Sequence, residues 1–302
     1  MAKRVRVTHR DGALVGAALQ VLLRRNSDFV SGVDADNILV PLLQTNRATR
    51  HVVVEWVVND LLQDITRGHE TFAIPTQTNP EGDLSIKECI QLVAFRYRTT
   101  VHVPVPWARH ALPRDEASRL ADSCDDIRRI IRGCPARMYV AYERATGWGI
   151  YAADSIESGE YVGEYTGELI SSQDARRRYT SQYDDDKLNY VLSLREVSTR
   201  DECVVRTNVD ASVSGSYARF FNHSCDPTLR VEAVRVDSFV PRLVFFTRRK
   251  LERGTPLTFD YGGAREADAD ADADAARQTP NRVPCHCGSR SCRGVLPFDR
   301  SL

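Results

Sequence analysis

The stretch RFFNHSCDP at residues 219–227 decides the fold of this chain, together with LTFDYGG at 257–263. The first contains an Asn-His pair followed closely by a cysteine, and the second ends an apolar run with an Asp-Tyr pair and two glycines. A third motif, GWG, stands upstream at 147–149. Each motif is weak alone, because a lone G-x-G is usually a turn and an aromatic-Asp-Tyr run is usually a core strand. The information lies in their occurrence together and in this order.

The motifs are embedded in a region of short strand-forming runs. These runs are rich in β-branched and aromatic residues and are separated by turn residues, which predicts a domain of many small strands. The runs are RMYVAYE (137–143), GIYAA (149–153), EYVGEY (160–165), NYVLSL (189–194), ECVVRTNV (202–209), LRVEAVRV (229–236) and RLVFFT (242–247).

A cysteine cluster near the end of the chain has the spacing of a metal site. Cys285, Cys287 and Cys292 form C-x-C-x4-C, which is more typical of zinc than of a disulfide; a redox pair is the alternative. Tetrahedral zinc needs a fourth ligand, for which His286 and Cys225 are the candidates. A chain of 302 residues can bury a core without a metal, so the cluster calls for a functional explanation. The remaining thiols show no paired spacing and are predicted to be buried small hydrophobes: Cys89, Cys124, Cys134 and Cys203.

The charge balance and the N-terminus exclude some classes of function. Lys+Arg and Asp+Glu number 41 each, so no net positive field predicts direct binding to nucleic acid or to a membrane surface. No apolar run reaches the roughly 20 residues of a membrane span. The run at 13–23 superficially resembles a signal peptide, but Gln20 interrupts it and Arg24 closes it. Its spacing behind Asp11 predicts an amphipathic helix instead.

Composition divides the chain into four parts. The first is mostly helical by periodicity, and its stretches 57–65 and 84–93 faintly resemble the central and third helices of a core histone. The third is an Ala/Asp alternation too poor in hydrophobic residues to pack, and it is predicted to be a flexible acidic linker. The predicted parts are a helical region at 1–133, the strand domain at 134–263, the linker at 264–284 and the cysteine tail at 285–302.

With EYVGEYTGELIS at 160–171 and CHCGSRSCRGVL at 285–296, the ordered motifs resemble the SET-domain protein lysine methyltransferases. The similarity is closest to the Su(var)-type heterochromatin enzymes that act on histone H3, and it covers about residues 134–302. It implies an α+β fold in which small curved sheets surround a pseudoknot-like active site, with a helical N-terminal region and a zinc-bound post-SET tail. It also implies S-adenosyl-L-methionine and Zn²⁺ as cofactors.

The resemblance implies a role for each matching residue. Tyr261 corresponds to the catalytic tyrosine, and Tyr190 and Phe259 correspond to residues that line the lysine channel. Cys225 joins the three tail cysteines on one zinc ion. The residues implied to bind S-adenosylmethionine are Gly147, Trp148, Gly149, Tyr190, Arg219, Asn222, His223, Tyr261 and Leu296.

The resemblance further implies a substrate and a product. The substrate is a histone tail, with H3 favoured, or another lysine-containing protein, and the location is the nucleus and the chromosome. In the family the position of Phe259 acts as a Phe/Tyr selector, and phenylalanine leaves room for further methylation. Di- or trimethyl-lysine is therefore the expected product, while the sequence leaves the target lysine and the oligomeric state open.

The chain departs from the family at several positions. The nine-cysteine pre-SET module is missing, and we expect the N-terminal region to replace its support. Ser216 and Thr228 stand where the family commonly has asparagine. Two alternatives to an active enzyme remain: an inactive SET protein that serves as a chromatin adaptor, and a purely structural zinc protein. Retention of Tyr261, Asn222 and His223 favours activity.

Overall fold

The computed structural model describes residues 62–77, 88, 91–92, 95–104, 130, 134, 136–181, 190–197, 204–235, 240–262 and 283–297. The predicted helix at 11–23, the histone-like pair and the acidic linker lie wholly or mostly outside these residues. No helix in the described part of the chain is long and apolar enough to cross a bilayer.

The described residues form short strands joined by turns. The elements are β1 (Arg96–Tyr97), β2 (Met138–Glu143), β3 (Gly147–Ala152), β4 (Tyr161–Tyr165), β5 (Glu168–Ile170), α1 (Ser172–Ser181), β6 (Val191–Val197), β7 (Val204–Asp210), β8 (Ser214–Gly215), a 3₁₀ helix (Tyr217–Phe220), β9 (Asn222–His223), β10 (Leu229–Val234), β11 (Arg242–Thr247) and β12 (Thr258–Phe259). Each strand run predicted from the sequence overlaps one of these strands, so those predictions are confirmed.

The strands pair into several small sheets rather than one large one. Within the described residues the strand orders are β10-β11-β4, β5-β7-β6, β2-β3, β1-β8 and β12-β9. The first three are antiparallel, and the last two are parallel pairs of two-residue strands. The fold is therefore α+β with small sheets, as the sequence predicts.

Strand β11 joins two hydrophobic clusters. Successive side chains of a strand point to opposite faces. Phe245 accordingly packs in the main cluster and Phe246 in a smaller one with Tyr161, and both phenylalanines are fully buried. Burial of a large apolar side chain stabilises a fold by about 1.5–3 kcal/mol. Strand β11 therefore stabilises both hydrophobic clusters, one through Phe245 and the other through Phe246.

Residues before position 134 pack into this same main cluster. Ile74 and Phe95 are fully buried in it. Strand β1 pairs in parallel with β8, and isolated bridges join Thr76 to Val140 and His102 to Glu168. The described part of the N-terminal region thus shares a core with the strand domain.

The pairing of β9 with β12 brings the Asn-His motif beside the Asp-Tyr motif. Asn222 lies opposite Thr258 and His223 opposite Phe259. The Ser224 amide continues the pairing by donating to the Phe259 carbonyl at 3.1 Å. Two stretches more than thirty residues apart in sequence therefore meet side by side.

Candidate active site

Tyr261 lies directly against the Asn-His motif. Its backbone N–H donates to His223 Nδ1 at 3.2 Å, and the two ring centroids are 5.3 Å apart. Its hydroxyl donates to the Phe221 carbonyl at 3.1 Å. Tyr261 is 37% exposed overall, although its hydroxyl end is buried. The phenol is therefore fixed at one end while part of its ring remains open to an approaching group.

Burial raises the pKa of Tyr261 above its usual value, and the nearby Tyr190 adds to the shift. A raised pKa keeps an acidic hydroxyl neutral over a wider range of pH. Tyr261 is consequently a protonated phenol at neutral pH, which can orient a partner by hydrogen bonding but does not serve as a phenolate base.

Aromatic rings form a wall beside Tyr261. The Phe259 ring is 4.7 Å from the Tyr261 ring and 5.0 Å from that of Phe245. The buried Tyr165 donates its hydroxyl to the Tyr190 carbonyl at 2.6 Å and so fixes the backbone of Tyr190. Such rings can attract a cation through their faces. The wall therefore suits an alkylammonium group.

The G-W-G motif begins strand β3 rather than forming a turn, and it is held by Asn222 of the Asn-His motif. Asn222 Nδ2 donates to the Trp148 carbonyl at 3.2 Å, and a Cβ on Gly149 would lie 2.9 Å from that nitrogen. Gly147 has a φ of +74°, which an L side chain rarely adopts. Trp148 Nε1 donates to the Glu88 carbonyl at 2.8 Å. The close approach of Asn222 thus requires glycine at position 149, and the positive φ favours glycine at position 147.

His223 is neutral at physiological pH. Burial lowers its pKa to about 4, with Arg293 adding to the effect and Asp260 opposing it. Its Nδ1 accepts a hydrogen bond from the Tyr261 backbone, and its Nε2 lies 3.4 Å from both Cys225 Sγ and Arg293 Nη2. The ring therefore connects Tyr261 to the cysteine cluster.

Four thiols converge beside His223. The sulfur atoms of Cys225, Cys285, Cys287 and Cys292 all lie within 4.8 Å of one another, and the Cys225–Cys285 distance is 3.9 Å. A tetrahedral ZnS₄ site with Zn–S bonds of about 2.3 Å has S–S edges of about 3.8 Å. The four side chains therefore fit zinc in number, chemistry and spacing, and they include the candidate Cys225 rather than His286.

The tail is also tied to the tyrosine loop by side chains. Arg293 Nη2 donates to Asp260 Oδ1 at 2.8 Å, and a Cβ on Gly262 would lie 3.1 Å from Pro297 Cβ. Leu296 donates its backbone N–H to the Val283 carbonyl at 2.9 Å. Leu296, one of the residues implied to bind the cofactor, therefore lies close to the Tyr261 loop, because its neighbour Pro297 contacts Gly262.

Arg219 is buried beside Tyr190. Its Cζ lies 4.3 Å from the centroid of the Tyr190 ring, and its Nη2 donates to the Ser212 carbonyl at 3.2 Å. Arg219 lies in the short 3₁₀ helix that precedes Asn222. The implied cofactor residues and channel residues therefore occupy one continuous region.

Ser216 and Thr228, which replace the asparagines common in the family, both form side-chain hydrogen bonds within the fold. Ser216 Oγ donates to the Glu164 carbonyl at 2.5 Å and caps the 3₁₀ helix. Thr228 Oγ1 donates to the Pro256 carbonyl at 3.0 Å and accepts from the Thr258 N–H at 2.8 Å. The Ser216 side chain thus links the 3₁₀ helix to β4, and the Thr228 side chain links the segment before β10 to β12.

Several residues that build the site were missed by sequence reasoning. Asp260 precedes Tyr261 in the sequence, and Arg293 follows Cys292. Their opposite charges next to these motif residues could have indicated the ion pair between them. Tyr165 stands in the quoted run EYVGEY, but nothing local marks its contact with Tyr190. The Glu88 carbonyl carries no sequence signal, since any residue supplies one.

Comparisons with known proteins match the region of the chain that carries most of this site. A family model described as the SET domain matches residues 147–262. The chain is 34% identical over 199 residues to histone-lysine N-methyltransferase SETMAR of Rattus norvegicus, covering 65% of this chain and 62% of that protein. It is 38% identical over 154 residues to histone-lysine N-methyltransferase Su(var)3-9 of Drosophila melanogaster, covering 50% of this chain and 23% of that protein.

A solved structure shows the same fold. The chain resembles Arabidopsis thaliana SUVH6 in complex with SAM, with a TM-score of 0.55, 20% identity, and coverage of 78% of this chain and 55% of that one. The chain thus spans only part of these relatives. Residues 147–262 are a SET domain, and the histone-lysine N-methyltransferases SETMAR and Su(var)3-9 are among the relatives of this chain.

Proposed function

We propose that this chain is an S-adenosylmethionine-dependent protein lysine N-methyltransferase that acts on a histone tail, with H3 favoured, in the nucleus and on the chromosome. One observation carries the proposal: Tyr261 is hydrogen-bonded to His223, whose neighbour Asn222 donates to the G-W-G motif at the start of β3. The residues proposed to line the amine channel therefore adjoin those proposed to hold the cofactor. The relatives are named histone-lysine N-methyltransferases, which supports the reaction type.

The residues around Asn222 fit S-adenosylmethionine. The side chain of Asn222 donates through Nδ2 to the Trp148 carbonyl, which leaves Oδ1 to accept from the amino group of a ligand. The SUVH6 structure is a complex with SAM, which supports this assignment by analogy of fold. When bound, S-adenosylmethionine supplies an electrophilic methyl group on a sulfonium. The residues proposed to hold it are the G-W-G motif, Arg219, Asn222, His223 and Leu296.

The protein contributes alignment and exclusion of water. Methyl transfer to an amine is an in-line displacement, so acceleration comes mainly from holding donor and acceptor in line. Tyr165 and Phe259 are buried, and this apolar lining lowers the pKa of an entering lysine from about 10.4. The neutral amine then forms as its proton passes to solvent. The Tyr261 hydroxyl orients that amine, and the rings of Tyr190 and Phe259 contact the methylated ammonium product.

The four cysteines are proposed to hold one zinc ion that clamps the tail against the cofactor site. Burial raises the pKa of Cys287, but hydrogen bonds at Cys225 and Ser289 outweigh it and lower the value to about 5. A thiolate at neutral pH is the form that binds zinc. The zinc ion supplies the link that joins Cys225, next to His223, to the tail.

A methyl-transfer assay tests the function directly. The full chain is incubated with tritiated S-adenosylmethionine and, separately, with histone H3, the other core histones and a panel of non-histone proteins. Transfer to H3 lysine supports the whole proposal, and transfer to another substrate supports the reaction but overturns the preference for H3. Cofactor binding without transfer to any substrate selects the adaptor alternative. If the chain neither binds the cofactor nor transfers methyl groups, the alternative of a structural zinc protein is favoured.

The degree of methylation is proposed to depend on Phe259. Its ring is 4% exposed and packs between Phe245 and Tyr261, so there is little spare room for an added hydroxyl. The substitution Phe259→Tyr is expected to stop the reaction at monomethyl-lysine, whereas the wild type proceeds to di- or trimethyl-lysine. Mass spectrometry of the product peptide measures this.

The matched control for this substitution is Phe246→Tyr, which adds the same hydroxyl in the other hydrophobic cluster. The control is expected to give the product distribution of the wild type. An unchanged distribution for Phe259→Tyr would show that Phe259 does not limit the number of methyl groups.

A further inference from the structure

The Arg219 guanidinium is in contact with an aromatic ring from outside the SET match. Its Cζ lies 4.3 Å from the centroid of Phe95, the same distance as from Tyr190. Phe95 belongs to the N-terminal segment, far before residue 147 where the family match begins. Arg219 therefore joins a ring of the N-terminal segment to a ring proposed to line the lysine channel.

Phe95 is held firmly in place. It is fully buried, and its ring meets Phe220 edge-on at 5.6 Å. The following residue, Arg96, donates its backbone N–H to the Val213 carbonyl at 2.9 Å, where β1 joins β8. A ring fixed by both packing and backbone pairing can in turn fix a guanidinium that rests on it.

A second arginine approaches the same ring. Arg67 Cζ lies 5.2 Å from the Phe95 centroid, and Arg67 has a φ of +56°, a strained value for a residue other than glycine. The loop that imposes this conformation is organised by Asp64, which accepts from the Thr66 N–H at 2.9 Å and the Ile74 N–H at 3.1 Å. Burial and the charge of Arg219 lower the pKa of Arg67 to about 10, so it remains a cation at neutral pH.

The Tyr190 side chain depends on this arrangement. Its carbonyl is fixed by two donors, the Tyr165 hydroxyl at 2.6 Å and the Ala211 N–H at 3.1 Å. Its ring has Arg219 as a cation–π partner. A displacement of Arg219 would therefore loosen the ring of Tyr190 first and its backbone contact with Ala211 next.

We infer that Phe95 is a positioning residue of the methyl-transfer site, which acts by fixing Arg219 and, through Arg219, Tyr190. The inference rests on the proposed function and adds a part of the chain that the SET match does not include. A buried cation–π contact contributes about 1–2 kcal/mol, which corresponds to about 5- to 30-fold in an equilibrium. The N-terminal segment thereby supplies a specific contact to the site as well as core packing.

The test compares Phe95→Leu with the control Ile74→Val, a fully buried residue of the same segment for which no ring or cation contact with Arg219 is seen among the described residues. Amide hydrogen exchange of Ala211 is measured without cofactor, and the Kd for S-adenosylmethionine and kcat are measured alongside the melting temperature. Phe95→Leu is expected to speed exchange at Ala211 and weaken cofactor binding, each by about 5- to 30-fold. Ile74→Val is expected to leave both quantities within about twofold of wild type while lowering the melting temperature, because it removes a buried methyl group.

A double-mutant cycle separates positioning from general packing. In an Arg219→Met background, Phe95→Leu is expected to cause no additional loss of cofactor affinity, because Phe95 acts through the guanidinium. Additive losses, or losses matched by Ile74→Val, overturn the inference while leaving the proposed function intact. A wild-type protein that neither binds S-adenosylmethionine nor transfers methyl groups overturns the proposed function itself, and the inference with it.

Discussion

Replacement of Tyr261 by phenylalanine is expected to lower kcat for lysine methylation by about 100-fold or more, with the Kd for S-adenosylmethionine changed by no more than about threefold. The substitution keeps the ring, and with it the contacts to Phe259 and His223. It removes only the hydroxyl, which donates to the Phe221 carbonyl and is proposed to orient the substrate amine. Loss of one preorganised hydrogen-bonding group at a reacting centre costs about 10²- to 10³-fold.

Steady-state transfer of tritiated methyl groups and calorimetric titration with the cofactor measure the two quantities separately. Tyr161→Phe is the matched control, because it removes a buried tyrosine hydroxyl from the smaller hydrophobic cluster. It is expected to retain wild-type activity. A Tyr261→Phe enzyme with more than about a tenth of wild-type kcat would show that the hydroxyl is not needed to orient the amine.

The sequence was sufficient for the strands and for the local motifs. Strands such as β11 were predictable because RLVFFT is strongly strand-forming and is bounded by turn residues. The grouping of Tyr261, His223 and Asn222 could be expected only through the resemblance, since the parallel pairing of β9 with β12 involves two-residue strands. Strands this short leave no periodicity from which to predict pairing.

The contribution of the N-terminal segment could not be predicted from the sequence. Periodicity describes the chain before residue 134 as helical, yet it includes strand β1, and Phe95 reaches the main core and Arg219. Contacts at such a separation are determined by tertiary packing, which local patterns do not encode. The domain boundary at 133 therefore stays a prediction from composition and periodicity. Buried side chains from both sides of this boundary pack in the main hydrophobic cluster.

Removal of zinc is expected to abolish activity while the strand domain stays folded. In the variant Cys287→Ser, an alcohol oxygen replaces a ligand that is ionised at neutral pH, since the pKa of Cys287 is lowered to about 5 by hydrogen bonds that outweigh the effect of burial. Binding of a structural zinc contributes about 10–16 kcal/mol in small zinc domains, and four ligands share this free energy. Loss of one thiolate therefore weakens binding enough for mild chelation to remove the metal. The expected result is a fall in kcat of about 100-fold or more and loss of the bound zinc measured by elemental analysis.

The fold is expected to survive because the described tail, residues 283–297, contributes no side chain to the two hydrophobic clusters. The site is expected to fail because only local contacts, such as the Arg293–Asp260 pair, would then hold the tail near Tyr261. That pair is partly exposed and worth no more than about 1 kcal/mol, too little to order the tail.

Far-UV circular dichroism and the melting temperature report the fold, and the Kd for S-adenosylmethionine reports the site. Cys134→Ala, which removes a thiol outside the cluster, is expected to keep both zinc and activity per folded molecule; full activity of Cys287→Ser without zinc would refute the clamp.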